Sequence, residues 1–145
     1  MTEKIKLIVA CEYALYIDAI SRVLASEGDI EIVAEASKAA EVKRAVRETK
    51  ADLLLLDVDM AKLNALEVLS LVRKKNPGLG VLLFIMRDYD EEKVKGAICA
   101  GALGYILKNA NAEELIKSIR ALVQGEVWIP RKMMAKVISN FSSFQ

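Results

Sequence analysis

Histidine is absent from the 145-residue chain, and whole chemistries go with it. Histidine metal sites, Ser-His-Asp and Cys-His nucleophile systems, and any phosphohistidine carrier role are excluded, leaving carboxylates, lysine and backbone to do the chemistry. Cysteine is nearly absent: Cys11 and Cys99 lie far apart and match no Cys-x-x-Cys pattern. Charge of one sign is also missing. Twenty-one Lys plus Arg against twenty Asp plus Glu give +1, too little to draw the chain to nucleic acid or anionic lipid by bulk field. No apolar run approaches the roughly 20 residues a bilayer requires. Neither G-x-G-x-x-G nor G-x-x-x-x-G-K-[ST] occurs, and no Ser/Thr-rich loop follows the first apolar run to hold a flavin phosphate, so a flavodoxin-like cofactor binder or enzyme is the weakest reading. With Lys4 leading directly into Ile5 and no signal-peptide profile, the expected compartment is a reducing cytoplasm, without membrane attachment.

Apolar residues at 54% and interspersed charges at 28% describe one globular domain with a real core. Short apolar runs alternate with amphipathic stretches, the mark of βαβ units. The runs are Ile5–Ala10, Ile30–Ala36, Leu53–Leu56, Val81–Ile85 and Gly104–Leu107. The third, four leucines without a polar face, suits a central strand covered on both sides. Helical spacing follows each run: Leu15, Ala19, Ile20, Val23 and Leu24; Val42, Ala45 and Val46; Leu66, Val68, Leu69 and Val72; Val94, Ala97 and Ile98; Leu115, Ile116, Ile119, Leu122 and Val123. In the last helix, Lys117, Ser118 and Arg120 are expected nearer solvent. Asn111 is placed to cap it, and Arg73-Lys74-Lys75 reads as a cationic helix end rather than a nucleic-acid patch. The fold expected is α/β, a (βα)5 doubly wound parallel sheet in flavodoxin-like order 2-1-3-4-5.

In that order function sits beyond the carboxyl ends of strands 1 and 3. The residues there are Cys11 and Glu12, then Asp57, Val58 and Asp59, with Met86 and Arg87 after strand 4 and Lys108 and Asn109 after strand 5. Two carboxylates joined by a lysine make a site for a hard divalent cation and a phosphoryl group.

Over residues 4–125 the chain resembles the receiver domains of two-component response regulators. The resemblance is carried by Leu53-Leu54-Leu55-Leu56-Asp57-Val58-Asp59-Met60 and by Ala100-Gly101-Ala102-Leu103-Gly104-Tyr105-Ile106-Leu107-Lys108. Asp29-Ile30-Glu31-Ile32-Val33-Ala34-Glu35-Ala36 and Val127-Trp128-Ile129-Pro130 are similar to the NarL/FixJ (LuxR-type) subfamily. The resemblance implies that Asp57 accepts a phosphoryl group from a sensor histidine kinase and that Lys108 contacts its oxygens. It further implies Mg²⁺ held by Glu12, Asp57 and the carbonyl of Asp59, and a switch made of residue 86 and Tyr105. The module would regulate transcription and would not itself be an enzyme.

Several positions depart from that pattern. Cys11 stands where a second acidic residue orients metal-bound water, and Glu12 is one methylene longer than the usual Asp, so metal affinity should fall. Met86 replaces the hydroxyl that would bond the phosphoryl group. Losing such a bond costs about 1.5–3 kcal/mol, a tenfold to hundredfold weaker drive toward the active state. Ala61 replaces the usual proline and Lys62 the usual glycine. These departures raise the alternative of a pseudo-receiver that signals through protein contacts without phosphate.

The domain expectation is a receiver over residues 1–125, then residues 126–145 as a linker and short helix leading toward a helix-turn-helix output domain that this chain does not contain; DNA would be met only through that domain. The apolar stripe Val127, Trp128, Ile129, Met133, Met134, Val137, Ile138 and Phe141 has no obvious place in a five-stranded core. It should dock on the domain's own flank or on a second copy in a homodimer.

Overall fold

The computed structural model describes residues 3–142, with the side chains of Phe141 and Ser142 outside what it describes. Strands and helices alternate: β1 Ile5–Ala10, α1 Ala14–Ala25, β2 Ile30–Ala36, α2 Ala39–Glu48, β3 Leu53–Asp57, α3 Ala65–Lys75, β4 Gly80–Ile85, α4 Glu91–Cys99, β5 Gly104–Leu107, α5 Ala112–Val123 and α6 Arg131–Ser142. All strand pairs are parallel, in the order β2-β1-β3-β4-β5. The expected fold class is the one observed, and β3, central and buried along its whole length, is the strand read from the leucine run.

Strand periodicity divides the core in two. Ile8, Ala10, Leu54, Leu56, Leu83 and Ile85 face one side, where they pack with residues of α2, α3 and α4. Leu7, Val9, Leu53, Leu55, Leu82 and Phe84 face the other, packed with α1 and α5. Polar side chains set where helices start. Asn64 accepts from the Leu66 and Glu67 amides, Asp90 from Glu92 and Lys93, and Asn111 from Glu114. Because helices follow the strands they cover, these capped ends lie beside the carboxyl edge of the sheet.

Three helix faces differ from the spacing argument. Leu15 and Leu66, expected in the core, stand in first turns and are 81% and 54% exposed; Ile17 takes the inward position in α1. Val123, the last residue of α5, is also exposed. Ser118, expected toward solvent, is fully buried, and its hydroxyl donates to the Leu115 carbonyl at 2.7 Å, so the helix itself meets the cost of burying it. Arg120 remains at the surface, where it donates to Asp29 and Glu27 and ties α5 to the turn before β2.

The segment after α5 docks on the domain's own flank. The Trp128 amide donates to the Leu103 carbonyl and the Tyr105 amide to the Trp128 carbonyl, so residue 128 forms a parallel bridge to Gly104 on the edge of β5. Only glycine permits this approach, because a Cβ at residue 104 would overlap the Trp128 carbonyl group. Helix α6 then lies on α4, and Met133 and Val137 are buried in the same cluster as α2, α3 and α4. Of the stripe, Met133 and Val137 complete that core with Ile129 packed against it, whereas Trp128 packs against the opposite cluster and Val127 is exposed. Ile138 is exposed, and the Phe141 side chain falls outside the described residues.

Candidate functional site

Parallel pairing brings the ends of β1, β3 and β4 level: Ala10 pairs with Leu56, and Asp57 with Phe84. Asp57 is the last residue of β3 and is only 1% exposed. A carboxylate at such a position requires partners. Lys108 Nζ lies 2.7 Å from Oδ1, the Asp59 amide donates to Oδ1 at 3.0 Å, and the Glu12 amide donates to Oδ2 at 3.4 Å. The Lys108 backbone is anchored by donation to the Ile85 carbonyl at 2.8 Å. Its ammonium also reaches Asp59 Oδ2 at 3.3 Å and stands 5.7 and 5.8 Å from the rings of Tyr16 and Phe84. Burial alone would lower the lysine's affinity for its proton, but the hydrogen bonds and negative charges of Asp57 and Asp59 outweigh it and raise the pKa. Lys108 is thus a fixed cation against Asp57.

Glu12 sits beside Asp57 through its backbone, whereas its carboxylate turns to the β3–α3 loop, where Oε1 accepts from the Ala61 amide at 3.0 Å. Cys11 is fully buried, and burial, aided by the Asp57 charge, pushes its thiol up to about 12. It is a neutral packing residue. Met86 is 45% exposed beyond β4. Tyr105 is buried, with its hydroxyl 3.3 Å from that of Tyr89 and its pKa raised by burial first and by Tyr89 second. Tyr13, Leu15, Leu66 and Met86 are all exposed at this end of the sheet.

The donor set can be tested against a divalent cation. Among the described residues no three acidic or cysteine side chains converge to hold an ion by themselves, and a protonated thiol offers a hard cation nothing. Two carboxylates, one backbone carbonyl and water do suit Mg²⁺, which keeps several waters. Glu12, Asp57 and the Asp59 carbonyl fit on those terms. Spacing had identified Asp57, Lys108, Glu12 and Asp59; it had not paired Tyr89 with Tyr105, placed Tyr16 and Phe84 beside the lysine, or recognised the Ala61 amide as a partner. For that amide the signal was present, since alanine keeps the N–H that proline lacks.

The response regulator receiver domain model matches residues 8–120. The oxygen regulatory protein NreC of Staphylococcus aureus is 33% identical over 139 residues, spanning 95% of this chain and 64% of that protein. The transcriptional regulatory protein DegU of Brevibacillus brevis is 28% identical over 138 residues, 95% of this chain and 58% of that protein. The chain thus spans about three-fifths of the length of these relatives. Among solved structures, the signal receiver domain of the response regulator NarL from Mycobacterium tuberculosis superposes with a TM-score of 0.79 at 26% identity, covering 86% of this chain and all of that one. Receiver domains generally bind Mg²⁺ at their acidic phosphorylation site. The chain belongs to the response regulator receiver domain family.

Proposed function

We propose that Asp57 is the phosphoacceptor and that the donor is the phosphohistidine of a sensor kinase. The observation that carries this reading is the buried Asp57 carboxylate held 2.7 Å from the Lys108 ammonium, with backbone amides on both oxygens. A carboxylate oxygen of Asp57 attacks phosphorus, the P–N bond breaks as the P–O bond forms, and the departing imidazole takes up a proton. Lys108, already oriented, moves from the free carboxylate to the new phosphoryl oxygens and balances their charge. Glu12, Asp57 and the Asp59 carbonyl would hold Mg²⁺, which supplies charge neutralisation on the phosphoryl oxygens when bound. The exposed Tyr13, Leu15, Leu66 and Met86 at this end of the sheet suit a protein donor that buries them on docking.

With Met86 providing no hydroxyl, the acyl phosphate lacks one donor, and the drive to an active state is tenfold to hundredfold weaker than a Thr or Ser would give. The output is transcriptional, with DNA met only through a helix-turn-helix domain and not by this receiver, acting in the cytoplasm and with homodimerisation as the next step. In this role the domain is a regulated acceptor rather than a classical enzyme. Incubation with Mg²⁺ and acetyl phosphate should yield one labile adduct of phosphate mass that Asp57→Asn abolishes. Absence of any adduct across a wide Mg²⁺ range would overturn the reading and leave signalling by protein contact alone. Met86→Thr should strengthen the phosphate-dependent change, measured by NMR or dimerisation.

A further inference from the structure

The Glu12 carboxylate has two claims on it. One is the cation reading above. The other is on the page: its Oε1 accepts the Ala61 amide at 3.0 Å, linking the loop after β1 to the loop after β3 across 49 residues of sequence. The same loop is unusual next door, because Lys62 adopts a left-handed φ of 64°. An aspartate at residue 12 would be shorter by a methylene, and a proline at residue 61 would have no proton to give. The pair Glu12 and Ala61 therefore forms a unit in which each side chain choice makes sense of the other.

We propose that the Ala61 amide is a positioning group that competes with the cation for Glu12, so that residue 61 sets the metal affinity of the site. In this exchange the Glu12 carboxylate turns toward Asp57 to meet Mg²⁺ and gives up the amide, a charge-assisted hydrogen bond replaced by a metal bond. Before the ion arrives the latch organises the loop, and afterwards the loop is released. The proposal rests on the reading of Glu12 and Asp57 as cation ligands.

The test is a Mg²⁺ titration of uniformly ¹⁵N-labelled protein, with no phosphoryl donor. Expected are shifts at Glu12, Asp57 and Asp59 together with an upfield proton shift and faster hydrogen exchange of the Ala61 amide, in step with saturation. Ala61→Pro, which removes the competing donor, should tighten Mg²⁺ about tenfold, the value of one hydrogen bond to a charged group at a partly exposed site. Ala61→Gly, which keeps the amide, should bind as the parent does. Movement at Asp57 and Asp59 with the Ala61 amide unmoved would overturn the latch and leave the cation site standing. No shift anywhere around Asp57 would overturn the cation reading and the latch with it. If Ala61→Pro fails to fold, the amide shift and exchange in the parent protein decide the matter.

Discussion

Only three residues separate Gly104 from Lys108, yet the two ends of β5 are held by opposite physics. At the carboxyl end, Lys108 is fixed by two carboxylates and flanked by two aromatic rings. At the other, Gly104 is fixed by backbone pairing with Trp128 and by the apolar packing of α6 on α4. Charges can be contested by a proton, a cation or a phosphoryl group; buried methyl groups and backbone bonds respond to none of these. Chemical input thus enters at the carboxyl end of the strand, whereas the tail pairs at its start and then runs along α4, where Lys136 reaches Glu91 in the first turn of that helix. Tyr105 connects them, its amide bonded to the Trp128 carbonyl and its hydroxyl to Tyr89.

The sharpest way to break the comparison is Gly104→Ala. The added Cβ overlaps the Trp128 carbonyl, so the bridge and its two hydrogen bonds go, and with them the burial of Met133 and Val137. At about 1 kcal/mol per hydrogen bond and about 1.5 kcal/mol or more per buried side chain, the loss should reach about 5 kcal/mol. Thermal denaturation and a red shift of Trp128 emission check it. Truncation after Gly125 should reproduce most of the loss, whereas the Lys108 end should still bind Mg²⁺.

At the charged end Lys108→Met should cost about 3–5 kcal/mol at neutral pH, because it leaves Asp57 buried with no cation. The pH dependence distinguishes it from a packing defect. The Lys108 pKa is higher folded than unfolded, so its contribution is complete below the usual lysine value and disappears as pH rises through the folded one. The difference between parent and variant should therefore be flat through neutrality and narrow in strong alkali.

Cys11 adds an alkaline effect of its own. Its thiol stays protonated up to about 12 folded but ionises near 9.0 unfolded, so stability falls between those values by up to about 1.4 kcal/mol per pH unit. Cys11→Ala should remove that part of the alkaline slope. In the native parent, Ellman's reagent should titrate partly exposed Cys99 first and reach Cys11 only on unfolding.

Legibility from sequence followed the same division. Strands β2 and β5 have the bounds that their apolar runs suggested, and the buried residues of α2 and α4 are those the spacing selected, because burial is periodic and period shows in sequence. Leu15, Leu66 and Ser118 were misassigned where period alone fails: first turns overhang the sheet edge, and a serine bonded to its own helix can be buried. Asp57 and Lys108 were legible as positions at strand ends. The turn of Glu12 toward Ala61 was not, since the direction of a flexible carboxylate depends on which backbone amides a loop leaves free.

The smallest effect concerns that loop. Lys62 holds φ at 64°, a region that costs a residue with a Cβ roughly 1–2 kcal/mol and glycine almost nothing. Lys62→Gly removes the strain but gives the unfolded chain more freedom, worth about 0.4–1 kcal/mol in the opposite direction. The net expectation is stabilisation of about 0.5 kcal/mol, visible as a small rise in the denaturant midpoint at unchanged slope. Lys62→Ala, which keeps the strained Cβ, should give no such rise. If the two variants behave alike, the left-handed turn is not where the strain is stored. If glycine stabilises and also loosens the Ala61 amide in hydrogen exchange, the Glu12 bond was being held by a stiff loop rather than holding a strained one, and the charged end of the molecule owes part of its order to backbone geometry after all.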